Sequence, residues 1–341
     1  MAKMTAQRIA EACGVSRGTV DRVVNGRGGV APEVRERIQR MVDETGYRTP
    51  AMKRQAGGRV RIGFVIPRWD MKYYTARMRQ GVKSALRRIG TGDFEVLIEE
   101  MHGRSVQEYM QCIARLRAQG VHGLVLNTSD VLPMQEEIDR LAAEGIPVVT
   151  CNSDVPGSRR LCHIGQDLRR SGRIAAGLMA RLAGRGDILI VTGNSEFTAH
   201  RGRVDGFCGR LAELGVERGR WQLIECIERY DLTYDGVLDA LRANPRLRGI
   251  YMANESVHGC VDALARVRPP YPVHVVCNDL TPWARDYLLG GQVDFVIDQD
   301  FAGQGERAVL VLYDLFCRGR KPAHDVVFVQ TSVITREMAE G

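Results

Sequence analysis

The chain has 341 residues, enough for two or three domains, and its 44% hydrophobic and 26% charged content is that of a water-soluble globular protein. Of its net charge of +7, residues 1–60 carry +6, with twelve Lys or Arg against six Asp or Glu, so only +1 is left for the other 281. A basic head on a near-neutral body points to a polyanionic partner for the head alone. No apolar run reaches the ~18–20 residues that span a bilayer. Arg8, Glu11 and Arg17 interrupt any signal-peptide core. These features predict a soluble, cytoplasmic protein with no membrane partner.

Residues Thr5 to Asn25 hold two short helical patterns that meet at Gly14. Ala6, Ile9, Ala10 and Cys13 form the apolar face of the first, and Val20, Val23 and Val24 that of the second. Between them, Gly14-Val15-Ser16 supplies a left-handed turn residue, an apolar plug and an N-cap. That layout is a helix-turn-helix, whose second helix enters the major groove of DNA. Its polar face carries Arg17, Thr19, Asp21, Arg22 and Asn25. Arginine is the residue type best suited to paired hydrogen bonds with guanine, so Arg17 and Arg22 are the candidate base readers.

A loop, Gly26-Arg27-Gly28-Gly29, precedes a third helix opened by Pro32, striped by Val34, Ile38, Met41 and Val42, and ending near Gly46. The helix-turn-helix domain is therefore expected over residues 1–49. Residues 50–60 change character, with positive charges and Gly57-Gly58, and read as a hinge or linker in which Ala51 to Ala56 could form one or two helical turns.

From Arg61 onward strand and helix patterns alternate. Strand-like runs fall at 61–66, 94–98, 123–127, 147–150, 187–192, 221–226, 248–253, 273–277 and 294–298, with a late run at 326–335. Apolar strands alternating with amphipathic helices predict parallel sheets covered on both faces, an α/β body over 61–341. About ten strands are many for one open sheet. Two lobes are expected, one of about 61–160 plus 292–322 and the other of about 161–291 plus 323–341. Ligands of such folds bind outside the carboxyl ends of the strands, here in the crevice between the lobes.

The segments GVSRGTVDRVVNGR, PEVRERIQRMVDETGYR and IGFVIP together resemble the LacI/GalR family of bacterial transcriptional regulators, and the resemblance covers essentially the whole chain. It implies an N-terminal helix-turn-helix, a hinge, and a body like the periplasmic sugar-binding proteins of the ribose-binding group. It also implies a homodimer, or a tetramer built from it, on a pseudo-palindromic double-stranded operator. Arg17, Gly18 and Arg22 fall where the family touches bases. Thr5, Ser16, Thr19 and Asn25 fall where it touches phosphates, and Tyr47 lies near the DNA backbone. Asp21 stands where the family usually has Ser. The hinge departs further: Thr49, Pro50 and Ala56 replace the family's Pro, Asn and minor-groove Leu, which leaves Met52 as the nearest possible wedge.

Strand-end residues are the candidates for the effector crevice. Trp69, Asp70 and Tyr74 follow the first strand, where aromatic faces could stack on a sugar ring and a carboxylate could bind its hydroxyls. Asp130 follows the third strand, and Asn152 and Asp154 the fourth. Arg203 lies in HRGRVDGF, matching an effector-binding Arg-x-x-Gly-Phe segment. Asn254 and Glu255, Asp279, and Gln299 end later strands, and each matches a sugar-contact position in the resemblance. The expected effector is a sugar or polyol, and the expected role is repression of a carbohydrate-utilisation operon. A purine would stack on Trp69 and Tyr74 equally well and is the alternative. No phosphate-cradling Gly-rich loop follows any strand.

An enzyme on the same body is disfavoured by the absence of GxGxxG, Walker and GxSxG segments. The seven histidines are scattered. The nine cysteines (13, 112, 151, 162, 208, 226, 260, 277, 317) include no CxxC or zinc-spaced cluster. No cofactor, metal or disulfide framework is expected.

Overall fold

The computed structural model describes residues 5–24, 29–45, 59–67, 72–90, 92, 94–103 and 105–340. Asn25, Tyr47, Met52, Trp69 and Asp70, and with them Thr49, Pro50 and Ala56 of the expected hinge, lie outside the described residues. The chain divides into two compact units, one of residues 1–60, 91–95 and 311–322 and the other of 61–90, 96–310 and 323–341.

Three helices form the head: α1 (Ala6–Ala12), α2 (Arg17–Val24) and α3 (Pro32–Thr45). The Thr5 hydroxyl caps α1 by accepting from the Arg8 amide at 3.3 Å. The chain then turns through Gly14 at φ +63°, a left-handed conformation that costs glycine nothing. Ser16 Oγ accepts from the Thr19 amide at 3.2 Å and starts α2. Pro32 opens α3, where its missing amide is not needed. Ile9, Ala10, Cys13, Val20, Val23, Ile38 and Val42 are buried together as the head's small core.

In the body, β1 (Val60–Pro67), α4 (Lys72–Ile89), β2 (Phe94–Met101), α5 (Val106–Ala118), β3 (Gly123–Leu126), α6 (Leu132–Ala143), β4 (Val148–Cys151) and β5 (Cys162–Gly165) come first. Next are α7 (Leu168–Ala183), β6 (Asp187–Thr192), α8 (Thr198–Glu213), β7 (Trp221–Glu225), α9 (Tyr230–Ala243), β8 (Leu247–Met252), α10 (Val257–Val267), β9 (His274–Asn278), α11 (Pro282–Leu289) and β10 (Phe295–Asp298). The chain closes with α12 (Phe301–Arg318), β11 (Val326–Phe328), β12 (Ser332–Ile334) and α13 (Arg336–Ala339).

The strands form two six-stranded sheets, β11-β5-β4-β3-β1-β2 and β12-β10-β9-β8-β6-β7. In the first, β11, β5, β4, β3 and β1 pair in parallel. In the second, only β12 runs antiparallel, on the β10 edge. The central strands are buried along their length, for example β3 and β4, as expected of sheets covered by helices on both faces.

The expected lobe boundaries need correction. Strand β10 pairs with β9 and belongs to the second lobe, whereas β11 pairs with β5 and belongs to the first. The late apolar run at 326–335 is two strands, one in each sheet. Strand β5 is absent from the sequence expectation because its four residues, CHIG, carry a buried His163 in place of an apolar run.

Two glycines set the approach of α7 to α8. A Cβ on Gly172 would stand 1.9 Å from the Arg203 carbonyl oxygen, and one on Gly206 would stand 2.0 Å from that of Arg169. The two helix backbones touch directly, and this contact fixes the height of Arg203 above the second sheet.

Candidate functional site

On the head, the buried Val20 and Val23 turn the opposite face of α2 outward. Arg17, Gly18, Asp21 and Arg22 are exposed there, as is Ser16, with Thr19 half-buried. The hydroxyls of Ser16 and Thr19 lie 2.9 Å apart at the start of the helix, with Thr5 exposed ahead of α1. The first turn thus offers hydroxyls to a phosphate, with Arg17 in the same turn and Arg22 in the last.

In the body, Tyr74, Asn152, Phe197, Ala199, His200, Arg203, Glu228, Asn254, Glu255, Asp279, Gln299 and Phe301 line one narrow cavity of about 30 Å³. They come from both lobes, mostly from strand ends and the first turns of the helices that follow. Asn152 and Asp279 hold left-handed backbone conformations, φ +63° and +69°, which Asn and Asp tolerate best among residues with a Cβ. The Asn152 amide still bonds the Ile164 carbonyl (3.1 Å) and the Asp279 amide that of Ile297 (2.9 Å). Each residue therefore extends the ladder by one bond before the chain turns sharply.

Arg203 is 2% exposed and donates to the Ala253 carbonyl at 3.0 Å, while its Nη2 lies 3.5 Å from Asp279 Oδ1. Gln299 Nε2 donates to the same carboxylate at 2.6 Å and is itself held by Gln304 Nε2 at its carbonyl, 2.9 Å. Burial pushes the Asp279 pKa up; Arg203 and Gln299 oppose that shift without cancelling it. Several buried polar atoms on these side chains have no hydrogen-bond partner: Arg203 Nε and Nη2, Asn254 Nδ2 and Asn152 Oδ1. Buried donors and acceptors are rarely left unmade, so a cluster of them around one cavity marks where a polar ligand completes the structure.

Of the residues expected in the crevice, Tyr74, Asn152, Arg203, Asn254, Glu255, Asp279 and Gln299 are brought together. Tyr74 is not a free stacking platform: its hydroxyl accepts from Asn127 Nδ2 at 2.8 Å and its ring stands edge-on to Phe301, centroids 4.9 Å apart. Asp130 lies outside the cavity lining. It bridges the lobes at the rim, accepting from Arg201 Nη2 at 2.6 Å and donating its amide to the Glu196 carbonyl at 2.9 Å. The Asp154 amide makes a similar bridge to Thr198 Oγ1 at 2.7 Å, and the Asp154 carboxylate is held by Arg160 at 2.6 Å. The Asp130 carboxylate and the Asp154 amide thus tie the lobes together without lining the cavity.

Phe197, His200, Glu228 and Phe301 were not singled out from the sequence. Glu228 follows β7, a strand whose end carried no candidate, and His200 sits in the first turn of α8 beside it. Among the described residues no group of three His, Cys, Asp or Glu could hold a metal, and no helix is long and apolar enough to cross a membrane.

A helix-turn-helix head joined to a two-lobed body of parallel sheets, with a polar cavity between the lobes, defines a ligand-binding DNA regulator. Residues 62–321 match the periplasmic binding protein domain family, and residues 5–50 match the bacterial regulatory proteins, lacI family. The chain belongs to the lacI family and is a DNA-binding transcriptional regulator. It is 24% identical over 264 residues to the maltose regulon regulatory protein MalI of Escherichia coli K12, covering 75% of this chain and 73% of that one. It is 26% identical over 259 residues to the regulator IdnR of the same organism, covering 75% and 74%. These relatives are regulators and not enzymes. Among solved structures, the glucose-galactose binding protein GanP of Geobacillus stearothermophilus matches with a TM-score of 0.72 at 19% identity, over 82% of this chain and 98% of that one. A solute-binding protein of Burkholderia graminis C4D1M in complex with D-arabinose matches with a TM-score of 0.73 at 20% identity, over 82% and 96%. At these identities the likeness is one of fold.

Proposed function

We propose that this regulator is a cytoplasmic repressor of a carbohydrate-utilisation operon and that a sugar or polyol bound between its lobes controls its grip on operator DNA. The observation that carries the effector class is the unpartnered polar set of Asn152, Arg203 and Asn254, flanked by the rings of Phe197 and Phe301. Donors and acceptors interleaved with aromatic faces complement a ring that is polar at its edge and apolar on its faces. The MalI name and the D-arabinose complex support the same class.

The effector acts by its differential affinity for closed and open lobes. The Asp130–Arg201 and Asp154–Thr198 bridges run from one lobe to the other. An effector that completes the polar set adds to them and favours closure, and closure alters how two heads are presented to a two-fold operator. Such an operator calls for a homodimer. An exposed aromatic array on the second lobe supports one: Trp283 and Tyr230 are 55% and 48% exposed, and His258 stacks on Trp283 at 4.6 Å.

The test is a titration of the protein against its own upstream DNA, with and without pentoses, hexoses and inositols, beside thermal unfolding with the same compounds. A binder of the native state raises the unfolding midpoint, and an effector also shifts DNA affinity. If no sugar or polyol does either, while a purine does, the effector class is wrong.

A further inference from the structure

We propose that His200 is a specificity-determining residue of the cleft, its imidazole reading one hydroxyl of the bound polyol, and that Glu228 is the positioning residue that holds the ring. The inference rests on the cleft being the effector site.

Three features carry it. First, His200 Nε2 faces Glu228 Oε1 at 2.8 Å, with both side chains nearly buried, 11% and 8% exposed. The other ring nitrogen, Nδ1, is buried without a hydrogen-bond partner, and both residues line the cavity. With one nitrogen at ion-pair distance from a carboxylate, the other is left to a ligand hydroxyl, which can both donate and accept.

Second, the backbone is bent to deliver Glu228. Ile227 and Glu228 both take left-handed conformations, φ +40° and +54°. This is a costly pair of positions for residues with a Cβ, and most costly for a β-branched one. The turn is held by the Cys226 amide on the Thr192 carbonyl and the Arg229 amide on the Cys226 carbonyl, both 2.9 Å.

Third, space is kept for the pair. A Cβ on Gly193 would lie 1.6 Å from Glu228 Oε1 and 2.7 Å from His200 Cε1. Gly193 directly follows the neighbouring strand β6, and a side chain there would displace the carboxylate from the ring. A strained turn, a glycine that leaves room for the pair and an unsatisfied ring nitrogen converge on one wall of the cleft.

The test measures binding of D-glucose, D-galactose, D-mannose, D-ribose, D-arabinose and myo-inositol to the full-length protein by calorimetry. The proteins compared are wild type, His200→Ala, His200→Gln, Glu228→Ala and Glu228→Gln, with unfolding midpoints recorded for each. The expected result is that His200→Ala weakens the best wild-type binder by about tenfold or more and changes the order of the panel. Glu228→Ala should act alike, and Glu228→Gln, which keeps an oxygen against the ring, should stay within about threefold of wild type. His200→Gln, close in size, keeps the test valid if His200→Ala does not fold. Lower midpoints in the variants with affinities and order unchanged would overturn the inference while leaving the cleft as the effector site. If no compound of the panel binds the wild type, the polyol assignment itself fails, and the inference with it.

Discussion

Arg203 Nη2 lies 3.5 Å from Asp279 Oδ1, with the two side chains 2% and 5% exposed. A buried pair of this kind adds little net stability, because desolvation offsets the attraction, but removing one member strands the other. Here the pair is also incompletely satisfied, since Arg203 Nε and Nη2 have no hydrogen-bond acceptor. Arg203→Ala is therefore expected to cost about 3–5 kcal/mol of stability near neutral pH and to abolish effector binding. The sign of the pH dependence follows from Asp279, whose folded pKa is raised by burial and partly restrained by Arg203. Without Arg203 it rises further, so the folded variant binds a proton more readily than the unfolded chain, and the deficit shrinks as pH falls. Urea unfolding at about pH 5 and about pH 7.5 should show the smaller loss at the lower pH. Equal losses at both would mean that Asp279 is not the group left stranded.

The contact between α7 and α8 makes Gly172 a remote determinant of the same site. A methyl group there meets the carbonyl of Arg203 itself. Gly172→Ala should destabilise by about 1–3 kcal/mol through overpacking and weaken effector binding by displacing Arg203. Gly177 lies on the same helix with nothing within 4 Å of a Cβ. Gly177→Ala should instead stabilise by about 0.5–1 kcal/mol and leave affinity alone. Chemical denaturation with parallel calorimetry separates the two. Equal behaviour of both variants would remove the packing explanation.

Most of the fold is legible in the sequence because parallel strands buried on both faces are written as apolar runs. The exceptions have physical causes. Strand β5 carries His163 inside the first sheet, tied to Thr150 at 3.0 Å, so polarity hid it. The run at 326–335 is continuous in hydropathy but divided between two sheets, which no local pattern reveals. In the cleft, the strand-end rule located Asn152, Asn254, Asp279 and Gln299 because Asn, Asp and Gln there are chemically conspicuous. It could not tell that Asp130 would be drawn to Arg201 across the rim, since that pairing depends on how the lobes meet. It passed over Glu228, whose aim depends on a backbone turn with two unfavourable φ values.

His163 predicts a distinct acid sensitivity. Burial pushes its pKa down from 6.5 to about 4; the nearby Asp154 opposes the shift and Arg160 adds to it. Because the folded value lies below the unfolded one, the unfolded chain takes up the proton first. The contribution to stability is complete above about pH 6.5 and is lost as pH falls towards 4, amounting to about 3 kcal/mol. His163→Gln should flatten the fall in unfolding free energy between these limits by about that amount. A wild-type and variant pair with parallel pH profiles would assign the acid loss elsewhere.

The exposed aromatic array predicts a self-association face. Tyr230 stacks on Tyr234 with centroids 6.0 Å apart, and His258 stacks on Trp283. Clustered, solvent-exposed aromatics of this kind are typical anchors of interfaces. Trp283→Ala should cost about 2 kcal/mol or more of dimer stability, seen as a concentration-dependent shift to monomer in sedimentation. The same variant should lose affinity for a two-half-site operator while its binding to a single half-site stays unchanged. A protein that sediments identically with and without Trp283 would dissociate this face from assembly.

On the head, the burial of Val20 and Val23 fixes the rotation of α2, and that rotation leaves Arg22 exposed in its last turn with Arg17 at its start. Gly18 between them presents no side chain, so base discrimination should fall mainly on the two arginines. Bidentate contact of an arginine with guanine discriminates by about 1–3 kcal/mol. Arg22→Ala should therefore bind the preferred operator more weakly by that amount while binding single-base variants at one position nearly as well as before. Loss of a phosphate contact alone would instead weaken all sequences equally and lower the salt dependence of binding. Titrations of wild type and Arg22→Ala against an operator substitution series, each at two salt concentrations, distinguish these outcomes. Uniform weakening across the series would move Arg22 from base reading to backbone anchoring and leave Arg17 as the discriminating side chain.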